Sequence, residues 1–100
     1  MYLIGGIFIY YSQKNIIDLL HSLTGYSINE ITEILNSLGY IVKDKISNSD
    51  NSVDLKIFPG MKISSTFSPA RRSGEISLSL QAQFSDSFKK EIRNIHKNSL

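Results

Sequence analysis

Residues 53–84 read VDLKIFPGMKISSTFSPARRSGEISLSLQAQF, and this stretch decides the fold. Its last ten residues alternate without a break. Ile76, Leu78, Leu80, Ala82 and Phe84 fall on one side, and Glu75, Ser77, Ser79, Gln81 and Gln83 on the other. Successive side chains of a strand point to opposite faces, so this pattern predicts a strand with one buried and one wet face. Met61–Ser68 repeats it, with Met61, Ile63 and Phe67 set against Lys62, Ser64, Thr66 and Ser68. In Val53–Phe58 the residues Val53, Leu55 and Ile57 alternate with Asp54 and Lys56. Pro59-Gly60 is a turn dipeptide, and P-A-R-R-S-G (residues 69–74) is a basic turn. Sequential strands joined by such short turns form an antiparallel meander.

Toward the N-terminus, SNSDNS (residues 47–52) is a polar turn with no apolar residue. Before it, Tyr40–Ile46 reads as a further strand. Two helices precede that strand. Ser12 is a candidate N-cap with Asn15 three residues on, and Ile16, Leu19, Leu20 and Leu23 form an apolar stripe over about residues 13–23. Thr24-Gly25 ends this helix. Ser27 and Glu30 make an S-x-x-E capping box for the second, whose stripe is Ile28, Ile31, Ile34, Leu35 and Leu38 and whose stop is Gly39. The chain opens on MYLIGGIFIYY, too short for a membrane helix of about 20 residues and with no basic residue ahead of its apolar run. Its Ile, Phe and Tyr predict a strand over residues 2–11, apolar on both faces. Toward the C-terminus, Ser85 caps a last helix with Asp86 in its first turn. Phe88, Ile92 and Ile95 form its narrow apolar stripe, and Lys89, Lys90, Arg93, His96 and Lys97 cover the rest.

The expected fold is therefore α+β, in one domain over residues 1–100. It is a two-layer sandwich in the order β-α-α-β-β-β-β-α, with about five antiparallel strands and the helices on one face. That order resembles the TATA-binding-protein-like fold, whose repeat runs β–α–β4–α, and a shortened helix-grip fold. The Ile-rich, Ser-rich, Cys-free composition is similar to that of small uncharacterised archaeal proteins of the TATA-binding-protein-like fold. In TATA-binding protein the open face of the sheet is apolar and wedges aromatic side chains into the minor groove. The matching face here carries Lys62, Ser64, Thr66, Glu75, Ser77, Ser79, Gln81 and Gln83. Six of the 16 serines (Ser64, Ser65, Ser68, Ser73, Ser77 and Ser79) lie in or beside these strands, so that face is expected to be rich in hydroxyls.

Composition narrows the function. Hydrophobic residues make up 41% of the chain, an ordinary globular value, and the net charge is +2. With no cysteine there is no disulfide framework, thiolate metal site or cysteine nucleophile. Gly5-Gly6 lies inside a strand and not after one, which excludes a phosphate-cradling loop. His21 and His96 stand late in their helices, where the dipole favours an imidazolium without any catalytic role. Asp44, Asp50 and Asp54 flank the SNSDNS turn, but their spacing does not match a calcium loop. The sequence assigns no catalytic residue, no cofactor and no metal.

Two binding readings remain. Tyr2, Ile4, Phe8 and Tyr10 share one face of the first strand and form a candidate protein interface, for a partner or a second copy of the chain. Residues 51–100 carry eight basic and four acidic residues. Arg71 and Arg72 on the basic turn, with Lys89, Lys90, Arg93 and Lys97 on the last helix, are the candidate nucleic-acid contacts. Tyr10, Tyr11 and Phe58 are the candidate stacking residues beside them. The leading expectation is a non-catalytic interaction module, cytoplasmic and not membrane-bound. The alternative is a nucleic-acid-binding module. A small-ligand site would need an apolar cavity of about 300 Å³ or more.

Overall fold

The computed structural model describes residues 9–69 and 76–99. Its elements, in chain order, are α1 (Gln13–Thr24), α2 (Ile28–Ser47), β1 (Val53–Phe58), β2 (Met61–Pro69), β3 (Ile76–Phe84) and α3 (Asp86–Asn98). The fold is α+β, and among the described residues its sheet has three antiparallel strands in the order β1-β2-β3. No helix of the described residues is long and apolar enough to cross a membrane. The chain divides into two compact units, Met1–Tyr40 and Ile41–Leu100. The strand expected at residues 2–11 falls mainly outside the described residues. Its last residues, Ile9 to Tyr11, precede α1 without strand structure.

In the first unit both caps form. The backbone N–H of Asn15 donates to Ser12 Oγ at 3.1 Å, and the Ser12 N–H donates to Asn15 Oδ1 at 3.1 Å. Asn is thus long enough to serve where the capping box usually has Glu or Gln. Gly25 ends α1 in the left-handed conformation (φ 80°), and its N–H reaches the His21 carbonyl at 2.9 Å. The Ser27–Glu30 box closes at 3.0 and 3.1 Å. The buried side of α1 is not the expected stripe. Ile17 is buried and Leu20 half-buried, while Ile16, Leu19 and Leu23 are exposed.

Tyr40–Ile46 is helix, which corrects the strand expected there and with it the count of about five strands. Gly39 does not end α2: the helix runs through it to Ser47. The reason is the period of the apolar residues. Ile31, Leu35, Leu38, Val42 and Ile46 recur at intervals of four, three, four and four, and all five are buried or half-buried. Ile28 and Ile34, expected in the stripe, are exposed. A glycine inside a helix costs about 1 kcal/mol relative to alanine, which a 20-residue helix with a continuous apolar side absorbs. SNSDNS provides the real stop.

In the second unit the register is regular from β2 to β3, where Met61 opposes Phe84, Ile63 opposes Ala82, Ser65 opposes Leu80 and Phe67 opposes Leu78. Between β1 and β2 it shifts between Lys56 and Phe58, so that Phe58 opposes Met61. That shift carries Phe58 from the face of Asp54 and Lys56 to the apolar face. Ser65 also belongs to the apolar face, opposite Val53 and Leu80, and is buried at 2% exposure. Its hydroxyl donates to the Val53 carbonyl at 3.4 Å. The expectation that Ser65 joins the open hydroxyl face is thereby corrected: its parity in the register, not its polarity, sets its side.

Candidate binding surface

The surface is built from the β1–β2 hairpin, β3 and the start of α3. Pro59 holds its own φ near −65°, so the left-handed step of the turn falls on Gly60, at φ 99°. The Gly60 carbonyl then accepts from the N–H of Ser85 at 2.9 Å. Ser85 is also the N-cap of α3, its hydroxyl accepting from the Phe88 N–H at 3.1 Å. This chain of hydrogen bonds sets Phe88 against the hairpin. Its ring lies 5.7 Å, centroid to centroid, from both Phe58 and Phe84, tilted against the first and stacked on the second. Such spacing is favourable for aromatic pairs. Phe58, a candidate base-stacking residue by sequence, belongs to this cluster and is 45% exposed.

A groove of about 530 Å³ opens beside the cluster, lined by Lys56, Gly60, Lys62, Gln83 and Ser87 among others. It is open to solvent and carries two lysines, unlike the enclosed apolar cavity that a small-ligand site requires.

The polar face is internally paired at one end. Asp54 accepts from Ser64 Oγ at 2.8 Å and from Lys62 Nζ at 3.1 Å. These bonds, first that of Ser64 and then the hydrogen bond and charge of Lys62, hold its carboxyl below the usual aspartate range. Lys62 stands opposite Lys56 in the ladder and turns diagonally to Asp54. Ser52 and Thr66 hydroxyls meet at 3.2 Å.

β3 differs from the rest of the sheet. Every one of its nine residues is exposed, including the apolar set Ile76 (69%), Leu78 (47%), Leu80 (53%) and Phe84 (42%). Of the α3 stripe only Phe88 is half-buried, while Ile92 and Ile95 are exposed. The expectation that the apolar sides of β3 and α3 are buried is therefore corrected. The aromatic cluster uses the first turn of α3, and the later turns leave their apolar side uncovered among the described residues.

The residues singled out by sequence are distributed as follows. Tyr2, Ile4 and Phe8 lie outside the described residues; Tyr10 is exposed and precedes α1 without strand structure. Arg71 and Arg72 also lie outside them. Lys89, Lys90, Arg93 and Lys97 are exposed on α3, with no ion pair to hold them among the described residues. His21 Nδ1 donates to the Tyr26 carbonyl at 2.6 Å and stitches the α1–α2 turn. His96 stands in the last turn of α3, where its carbonyl accepts from Ser99. Asp44 accepts from the Asn48 side chain at 2.9 Å. The uncharged nine-residue run ISLSLQAQF shows that β3 is apolar on one side, but not that this side is uncovered.

Comparison with known proteins finds no matching family model, no matching curated protein and no matching solved structure.

Proposed function

We propose that this chain is a small non-catalytic binding module that associates through apolar surface, with a second copy of itself or with another protein. One observation carries the reading. Leu78, Leu80 and Phe84 of β3 and Ile92 and Ile95 of α3 are exposed together in one unit. Apolar residues left exposed on one side of a strand and one side of a helix mark candidate association sites in soluble proteins. Tyr2, Ile4, Phe8 and Tyr10 extend the proposal to the start of the chain. The finer architecture belongs to it as well: a two-layer sandwich of the TATA-binding-protein-like kind, supported by two helices, a meander and a closing helix in that order. So does a cytoplasmic setting. The test is light scattering across 1–100 µM, a range on the order of ordinary protein–protein affinities. A mass that rises with concentration is expected, and a strict monomer eliminates self-association.

A second reading rests on the four exposed basic residues of α3, which make no ion pair among the described residues. Lys89, Lys90, Arg93 and Lys97, with Arg71 and Arg72, would contact phosphates. Binding would then weaken steeply with salt. No retention on immobilised DNA or RNA at low salt removes this reading.

A further inference from the structure

We infer that β3 pairs edge to edge with β3 of a second copy, antiparallel about a two-fold axis at Leu80. This inference rests on the self-association reading and specifies its surface. The sheet has two outer strands, and they are unlike. β1 is six residues long, carries Asp54 and Lys56 and is broken by the register shift after Lys56. Charges, short length and irregularity are the devices that blunt a sheet edge. β3 is nine residues long, with no charge, no proline and no irregularity in its pairing with β2. Its outer row of N–H and C=O groups has no strand beside it among the described residues.

The sequence of β3 is also complementary to itself. A two-fold axis through an antiparallel pair sets one residue against its own copy. With Leu80 at the centre all nine residues pair: Leu78 meets Ala82, Ile76 meets Phe84, Ser79 meets Gln81 and Ser77 meets Gln83. Every apolar residue faces an apolar one, every polar residue a polar one, and no charge is opposed. The apolar sides of the two copies fall on the same face. Ile76, the most exposed of the strand's large apolar residues at 69%, gains Phe84 of the second copy as its neighbour. Phe84 is itself stacked on Phe88, so the start of α3 comes with it. Ile76, Leu78, Leu80 and Phe84, exposed in the single chain, each gain an apolar neighbour across the new pair.

The absence of cysteine makes the test clean. In the L80C variant the two sulfurs lie opposite each other, with Cα atoms about 5 Å apart and within disulfide reach. In S77C the same residue of the two copies is offset by six positions, roughly 20 Å apart. Mild oxidation of the full chain at 100 µM should give a covalent dimer with L80C and none with S77C. An equimolar S77C and Q83C mixture should give the mixed dimer. L80K, which opposes two ammonium groups, should weaken the dimer at least tenfold. S79C mixed with Q81C gives the same answer should Leu80 variants fail to fold. A dimer by light scattering with no L80C or S79C–Q81C cross-link overturns the β3 pairing and leaves self-association standing. A strict monomer overturns both. A monomer whose outward-facing β3 amides are protected from exchange shows that the edge is covered within the chain, and it overturns the inference equally.

Discussion

Gly60→Ala probes the junction on which the surface is built. A Cβ placed on Gly60 would lie 2.8 Å from Phe88 Cβ and Cδ1 and 2.9 Å from its Cγ. These are atoms close to the backbone of α3, not the end of a flexible chain, so α3 or the turn must move. The φ of 99° adds a second cost. A left-handed residue other than glycine costs about 1–2 kcal/mol, and overpacking typically adds about 1–3 kcal/mol. The sum, about 2–5 kcal/mol, is a large share of a small domain's stability. It predicts a Tm lower by about 10–30 °C. The assay is urea and thermal unfolding followed by far-UV circular dichroism, since the chain has no tryptophan. The two costs separate in a Phe88→Gly background. There the Phe88 ring and Cβ are both gone while the backbone strain remains, so Gly60→Ala should cost only about 1–2 kcal/mol. Equal costs in both backgrounds, additive within about 0.5 kcal/mol, would refute the contact.

Gly39→Ala should raise stability by about 0.5–1 kcal/mol, because α2 is continuous there and nothing lies within 4 Å of the added Cβ; urea melts that show a loss would mean the helix ends at Gly39 after all. Ser12→Ala and Ser27→Ala should each cost about 1 kcal/mol by removing the caps of α1 and α2, measured the same way, and a change under about 0.3 kcal/mol at either would show that cap to be idle. The pH profile follows from two carboxylates. Glu30 is held below its usual range by the Ser27 backbone N–H first and the Ser27 hydroxyl second, and Asp54 by Ser64 and then Lys62. A folded-state value below the unfolded one gives stability that is present above the ordinary carboxylate range and lost as pH falls through the folded value. Tm should therefore fall between roughly pH 5 and pH 3, and less steeply in Ser27→Ala and Ser64→Ala; an unchanged slope in both variants contradicts the assignment.

Local signals made much of the fold legible in the sequence. Period-two alternation placed β1, β2 and β3, and the Ser12, Ser27 and Ser85 caps placed the starts of the helices, because each depends on residues within four positions. What failed depended on context. Gly39 has the look of a helix stop beside Tyr40, Ile41 and Val42, a short apolar run that suits strand or helix equally. The deciding fact is that Val42 and Ile46 continue the spacing of Ile31, Leu35 and Leu38, a relation that spans sixteen residues and outweighs a single glycine. Ser65 keeps the alternation, and only its polarity suggests the open face; Phe58 failed for another reason. Alternation assigns sides only as long as the ladder is unbroken, and the shift after Lys56 moves Phe58 across the sheet. The candidate surface was legible only as composition: the sequence shows that β3 is apolar on one side, not whether that side is covered.

The same junction explains why the surface is left open. One residue, Ser85, separates the end of β3 from the start of α3, so the helix begins at the hairpin end of the sheet beside Gly60. Phe88 stands in its first turn and is fixed there by the rings of Phe58 and Phe84. A helix pinned by its first turn at one end of a strand has no further anchor along that strand, and Ile92 (54%) and Ile95 (68%) are indeed exposed. Leu78 and Leu80, further back along β3, are exposed for the same reason. Lengthening the Ser85 link by two glycines should free the first turn of α3 from the Gly60 carbonyl and loosen the aromatic cluster. If the open side of β3 follows from this short link, the longer one should let α3 fold back over Leu78 and Leu80 and weaken self-association; an unchanged dimer mass by light scattering would show that the link has no part in exposing β3.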